Sequence, residues 1–199
     1  MKIIYDVPQI LQNPELPNGC EITSLCELLH FYGFPADKCD LADHYLPQSE
    51  KWYGADPNSV YLGNPRLDDG SPETGYYCFS GPVMKAAEKY LNEHGSRLRP
   101  VDLTGASEPE LAAALQNGCP FIFWASLHFE DIQYDSAPAW MLPDGKMHKP
   151  FHMLHCMVCK GMDEQFFYIA DPLNYNTEVP REKFMNIFRQ LGSRAVILK

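Results

Sequence analysis

No run of the chain approaches eighteen consecutive apolar residues, so no bilayer-crossing helix is expected. No cluster of Lys and Arg occurs either; 26 acidic residues outweigh 16 basic ones, and the net charge is -10. Nucleic-acid binding needs a basic patch, so that class of partner is set aside. The first residues, Met1-Lys2-Ile3-Ile4-Tyr5-Asp6-Val7-Pro8, lack the unbroken apolar run of a secretory leader. The expectation is a cytoplasmic protein or, alternatively, a secreted one whose leader was removed. The seven cysteines have neither an even count nor a regular spacing. That suits reduced, mostly buried thiols better than a disulfide framework. Repeats and low-complexity tracts are missing too. What is present is a hydrophobic share of 45% and an aromatic share of 13%, enough for a packed core. A chain of 199 residues makes one domain, or two lobes sharing a core.

Residues 3–11 are apolar and read as extended, and the Pro and Gly of 12–19 read as a loop. From Cys20 the pattern turns helical: Ile22, Leu25, Cys26, Leu28, Leu29 and Tyr32 share a face, and Gly33 is placed to end the helix. A second helix is expected over Asp37 to Leu46. Residues 47–80 alternate Pro and Gly with six aromatic side chains, which suggests an ordered loop walling a cleft. Helices follow over Val83–Asn92 and after the capping box Ser107-Glu108-Pro109-Glu110, with a short strand, Arg97 to Leu103, between them. The remainder reads as strands: Pro120–Ala125, His152–Lys160, a turn at Gly161–Glu164, its hairpin partner Gln165–Ala170, then a helix Arg181–Gln190 and a last strand Arg194–Leu198. Residues 128–150 are a second irregular segment. Helices first and an antiparallel sheet after give an α+β fold. The lobes are expected at about 13–118 (helical) and about 119–199 plus the N-terminal strand (sheet), in one domain spanning 1–199.

Cys20 falls at a helix N-terminus, where unpaired N–H groups and the helix dipole favour an anion such as a thiolate. A lone cysteine before a helix is more often a small buried hydrophobe. A nucleophilic cysteine also needs a base, and the base needs an orienting partner. Of the seven histidines, His30, His44 and His94 lie on helices, and His128 and His148 in or beside the irregular segment. His152 and His155 enter one strand three positions apart, so only one can face a given cleft. His155 leads into the core run Cys156-Met157-Val158-Cys159, and counting out from the hairpin turn places it within a position or two of Asp171. The order Cys20, His155, Asp171 has the order and scale of papain-like thiol enzymes. Gln12 upstream could donate a side-chain N–H to an oxyanion, with the Cys20 backbone N–H as the second donor.

Gln12, the run Pro14-Glu15-Leu16-Pro17-Asn18-Gly19-Cys20-Glu21, Gly63-Asn64-Pro65, His155-Cys156-Met157-Val158 and Ala170-Asp171-Pro172 together resemble the stand-alone relatives of the bacteriocin-leader-processing cysteine peptidases. These belong to the papain-like superfamily. The resemblance covers nearly the whole chain. It implies a papain-like α+β fold, its helical half carrying the nucleophile and its sheet half the His and Asp. It implies Cys20 as nucleophile, His155 as base, Asp171 as orienter and Gln12 as oxyanion donor, acting on peptide or protein substrates. Two departures stand beside it. The transporter-linked members, which cut after a double glycine, carry membrane domains absent here, and the papain-type Cys-Gly-Ser-Cys-Trp signature is missing.

Competing readings concern the same residues. Cys156-Met157-Val158-Cys159 with two nearby histidines could suggest zinc, but its spacer suits a core strand and no second C-x-x-C exists. A redox role fails because the pair does not open a helix. Neither a metal nor a cofactor is expected. Cys26, Cys39, Cys78, Cys119 and Trp124 read as packing residues, and Asp171-Pro172 could be a plain turn. The same triad could serve an amidase or an acyltransferase, or survive in a catalytically silent peptide-binding module.

Overall fold

The computed structural model describes residues 2–71 and 73–199; Met1 and Pro72, one of the loop prolines, lie outside the described residues. In chain order the elements are β1 (Ile3–Ile4), α1 (Cys20–Phe31), a helical turn α2 (Lys38–Asp40) continuing as a π-turn (Leu41–Tyr45), β2 (Gln48–Ser49), β3 (Tyr61–Leu62) and α3 (Ser80–Glu93). Then come β4 (Pro100–Asp102), α4 (Glu108–Gln116), β5 (Phe121–Ser126), β6 (Gln133–Tyr134), β7 (Trp140–Met141), β8 (Met147–His148) and β9 (Phe151–His152). β10 (Leu154–Met162), β11 (Phe166–Ala170), β12 (Glu178–Pro180), α5 (Arg181–Gln190) and β13 (Ala195–Leu198) complete the chain.

The main sheet has the order β12-β11-β10-β5-β13-β4, with β1 also pairing β10, and every neighbouring pair is antiparallel. The fold is α+β. β5 lies between β10 and β13 and every one of its six side chains is buried, which explains why the run Phe121 to Ala125 is apolar throughout rather than alternating. Two apolar clusters occupy the two faces of the sheet. Cys156 and Val158 of β10 enter one, with α1 and α3; Met157 and Cys159 enter the other, with α4 and α5. This is the period-two alternation of a strand, and it sends the cysteines of the C-x-x-C to opposite faces.

Several boundaries differ from the sequence expectation. The strand expected over His152–Lys160 breaks at Met153, whose φ is 53°, so His152 belongs to β9 and pairs with β6 while His155 stays in β10. β10 then runs on to Met162, where a turn was expected. Gly161 is glycine there because β1 crosses it closely: a Cβ would stand 2.2 Å from the Ile3 carbonyl oxygen. β4 precedes residue 119 yet pairs with β13, so the stretch 13–118 contributes one edge of the sheet. α3 opens at Ser80, ahead of Pro82.

α1 is the central helix. Every residue from Cys20 to Leu29 is buried, including Glu21, Thr23, Ser24 and Glu27. It lies against β10, where Ser24 Oγ donates to the Cys156 carbonyl at 3.2 Å. Trp124 is fully buried and donates from Nε1 to the Cys78 carbonyl at 2.8 Å, tying β5 to the segment before α3. That segment, 47–80, is ordered by its aromatics: Tyr61, Tyr77 and Phe79 are buried, and Trp52 stacks on Tyr76 at 4.3 Å.

Candidate active site

The loop before α1 is held from three sides. The Gln12 backbone N–H donates to the Pro172 carbonyl at 2.9 Å, Gln9 Nε2 donates to the Asp171 carbonyl, and the Ile10 N–H donates to the buried Glu27 carboxyl at 2.9 Å. The Asn18 N–H donates to the Pro65 carbonyl at 3.1 Å, and the Asn18 side chain to the Leu67 carbonyl at 2.8 Å. Gly63-Asn64-Pro65 therefore buttresses the residue two before the cysteine. Gly19 has an ordinary negative φ; its lack of a side chain lets Leu16 close in, since a Cβ would stand 2.6 Å from the Leu16 Cβ. Cys20 follows as the first residue of α1, and its backbone N–H has no intrahelical acceptor.

His155 sits in β10 opposite Ala125 of β5. Asp171 follows β11 directly. Val158 pairs with Ala170, so Asp171 comes level with Met157, two positions from His155. His155 Nε2 lies 2.6 Å from Asp171 Oδ1, with both side chains buried. The same carboxylate accepts from the Leu173 N–H at 2.8 Å, and from the Asn176 N–H and side-chain amide at 3.0 and 2.8 Å. Burial alone would push Asp171 up, but the His155 bond and charge and the surrounding N–H donors outweigh it and hold the group below the ordinary carboxylate range. An ionised carboxylate only accepts, so the His155 proton must sit on Nε2, leaving Nδ1 as the basic nitrogen.

Gln12, Cys20 and His155 line one cavity of about 270 Å³, with Tyr76, Asp135 and His152 on its walls. Gln12 Nε2 donates to the Pro17 carbonyl at 2.6 Å, which uses one of its two N–H bonds. The cleft wall formed by Tyr76 and Tyr77 comes from the 47–80 loop, as the aromatic content suggested. Tyr77 is backed by the buried His148, whose Nε2 lies 2.7 Å from the Tyr77 hydroxyl. His152 is exposed, and its Nδ1 is 3.8 Å from Asp135.

The sulfur's surroundings differ from the expectation at a helix N-terminus. Burial, followed by the Glu21 carboxyl, pushes the Cys20 thiol well above its ordinary range. Cys20 Sγ donates to Glu21 Oε2 at 3.3 Å, while Glu21 Oε1 accepts from the Cys78 N–H at 2.8 Å. Glu21 is fully buried, and burial pushes its carboxyl up to about 7 despite those donors. Sequence reasoning overlooked Glu21 and Asn176. A glutamate in the first turn of a helix ordinarily reads as a solvated dipole partner, and nothing local marks Asn176 as reaching back to Asp171.

The sequence pattern of the Peptidase_C39 like family matches residues 4–196. The chain belongs to this family. Uncharacterized protein YvpB of Bacillus subtilis (strain 168) is 29% identical over 191 residues, which cover 94% of this chain and 71% of YvpB. A crystal structure from Bacillus anthracis, described as a candidate C39-like peptidase, superposes with a TM-score of 0.87 at 33% identity. It covers 100% of this chain and 98% of that one. The family match accords with the resemblance read from the Cys20, His155 and Asp171 segments, and the shared fold extends over the whole chain.

Proposed function

We propose that the protein is a cysteine peptidase that hydrolyses amide bonds through Cys20. The observation that carries this reading is that His155 lines the Cys20 cavity while its far nitrogen is bonded to a buried, ionised Asp171. His155 Nδ1 takes the Sγ proton, and the thiolate attacks the substrate carbonyl. The second side-chain N–H of Gln12 and the backbone N–H of Cys20 receive the developing oxyanion. The imidazolium then returns its proton to the leaving amine, and water releases the acyl-enzyme with His155 again as base. The substrate class, peptides, follows from the family.

A peptide-library digest with wild-type protein and Cys20→Ala tests the reading. Cleavage by wild type alone supports it; no cleavage by either favours a silent peptide-binding module. Transfer to an added amine with little hydrolysis would mean an acyltransferase. Both His152 and His155 line the cavity, so each is replaced by Ala in turn. Loss of activity is expected only for His155→Ala; loss only for His152→Ala would mean that His152 is the base.

A further inference from the structure

We propose that Glu21 is the protonation gate of the nucleophile, a positioning residue whose carboxyl must carry a proton for the neighbouring Cys20 sulfur to exist as a thiolate. This rests on the peptidase reading above and extends it to the regulation of the same site by pH.

Glu21 is fully buried in contact with the sulfur, and its carboxyl is hydrogen-bonded to the Cys78 N–H, its own backbone N–H and Cys20 Sγ. Among the described residues no Lys, Arg or His forms an ion pair with it. The titratable groups facing it are Tyr61, Tyr77 and Cys78 from the 47–80 segment, Cys156 from β10, and Cys20 on its own helix. None is a cation. A buried carboxylate in such a place gains little from its surroundings, and a thiolate beside it would set two anions in contact away from water.

The protons can be followed one at a time. In the competent form Cys20 has given its proton to His155, and Glu21 keeps its own. Glu21 Oε2–H then donates to the thiolate across the 3.3 Å contact and supports it as a neutral hydrogen-bond donor. When Glu21 loses that proton to solvent, its carboxylate faces the thiolate. The sulfur recovers a proton from His155, and the S–H donates to Oε2 across the same contact. One proton leaves the site, and the nucleophile is a neutral thiol. Because a carboxyl is intrinsically more acidic than a thiol, the single proton left between the two stays on sulfur. Glu21 therefore sets the alkaline limit of thiolate formation.

Glu21→Gln fixes the site in the equivalent of its protonated form. Its side-chain oxygen can still accept from the Cys78 N–H, and its NH2 can donate to the sulfur at every pH. The experiment is iodoacetamide alkylation of Cys20, followed by peptide mass mapping from about pH 6 to about pH 8.5, in wild type and Glu21→Gln. The wild-type rate is expected to fall on the alkaline side of neutrality and the variant's rate to hold or rise. The variant-to-wild-type ratio should grow about tenfold over that range, the equivalent of one displaced pH unit. A ratio that stays constant overturns the proposal, because a merely structural glutamate would change stability without moving the profile. Should Glu21→Gln fail to fold, the carboxyl carbon of Glu21 is followed by NMR in 13C-labelled wild type. Its titration must then coincide with the fall in alkylation, and a separation of more than about one pH unit overturns the gate. Failure of the underlying reading looks different: Cys20 in wild type would then alkylate no faster at about pH 6 than the other cysteines.

Discussion

His155 Nε2 and Asp171 Oδ1 stand 2.6 Å apart, although one lies in β10 and the other just past the end of β11, 16 positions apart in the chain. The contact follows from the β10–β11 register, which brings Asp171 level with Met157, two positions from His155 and within reach of its ring. Asp171→Asn keeps the shape but cannot hold the Nε2–H tautomer as firmly. Turnover is expected to fall by about 10²–10⁴, the range general acid–base groups supply, with little change in thermal midpoint. Asp171→Ala should cost about 3–5 kcal/mol of stability as well, because it strands the His155 and Asn176 donors in a buried site. Steady-state kinetics and urea unfolding distinguish the two.

Stability should depend on pH in opposite directions at Asp171 and Glu21. The folded-state value of Asp171 is depressed, so its contribution is present above the unfolded carboxylate value of about 3.9 and is lost as pH falls through the lower folded one. For Glu21 the folded value is raised from 4.5 to about 7. Its contribution is therefore greatest below 4.5 and is lost as pH rises toward 7, by about 3 kcal/mol in all. Urea midpoints of wild type and Glu21→Gln at about pH 4, 5.5 and 7.5 should diverge by this trend, with only wild type losing the increment.

Gln12→Ala tests the oxyanion role separately from the thiol. Removing one such donor lowers kcat by about 10²–10³. KM should change little, and the rate of Cys20 alkylation at about pH 6 should stay near the wild-type value, because Gln12 acts on the substrate oxygen and not on the sulfur. Equal losses in alkylation and turnover would mean that Gln12 only shapes the loop.

Gly19→Ala should destabilise the protein by about 1–3 kcal/mol, the cost of overpacking. The added methyl would meet the Leu16 Cβ, and that collision sits one residue before the nucleophile. A lower thermal midpoint together with slower Cys20 alkylation is the expected pair of results. Gly33→Ala is a control: its methyl would meet nothing within 4 Å, but its φ of 84° carries the strain of a left-handed position, so stability should fall without a matching loss of alkylation.

Periodicity was enough to place α1 at Cys20, α5 at Arg181–Gln190 and the buried strand at Phe121, because in each the apolar spacing and the end signals agree. The order of Cys20, His155 and Asp171 was legible because a hairpin makes register countable. What the sequence hid were long-range effects. A glycine at 161 looked like a turn because the crossing of β1 has no local trace. His152 looked like a neighbour of His155 in one strand because the reversal at Met153 falls on a residue that rarely adopts positive φ. The burial of Glu21 and Glu27 left no sign in the sequence, because helical propensity says nothing about a helix enclosed on every side.

β10 is gripped on both faces: its alternate side chains are sunk into separate apolar clusters, and β5 and β11 flank its edges. It behaves as a keel, and the base is fixed to its leading end. Opening it means breaking both clusters at once, so the amides of Met157 to Cys159 should be among the last to exchange with heavy water. The span from Leu127 to Met153, held by two short antiparallel strand pairs, shares the cleft but not that double anchorage. Adaptation to substrates of different bulk then falls to this span, while the distance between sulfur and imidazole is protected by the most slowly yielding part of the molecule.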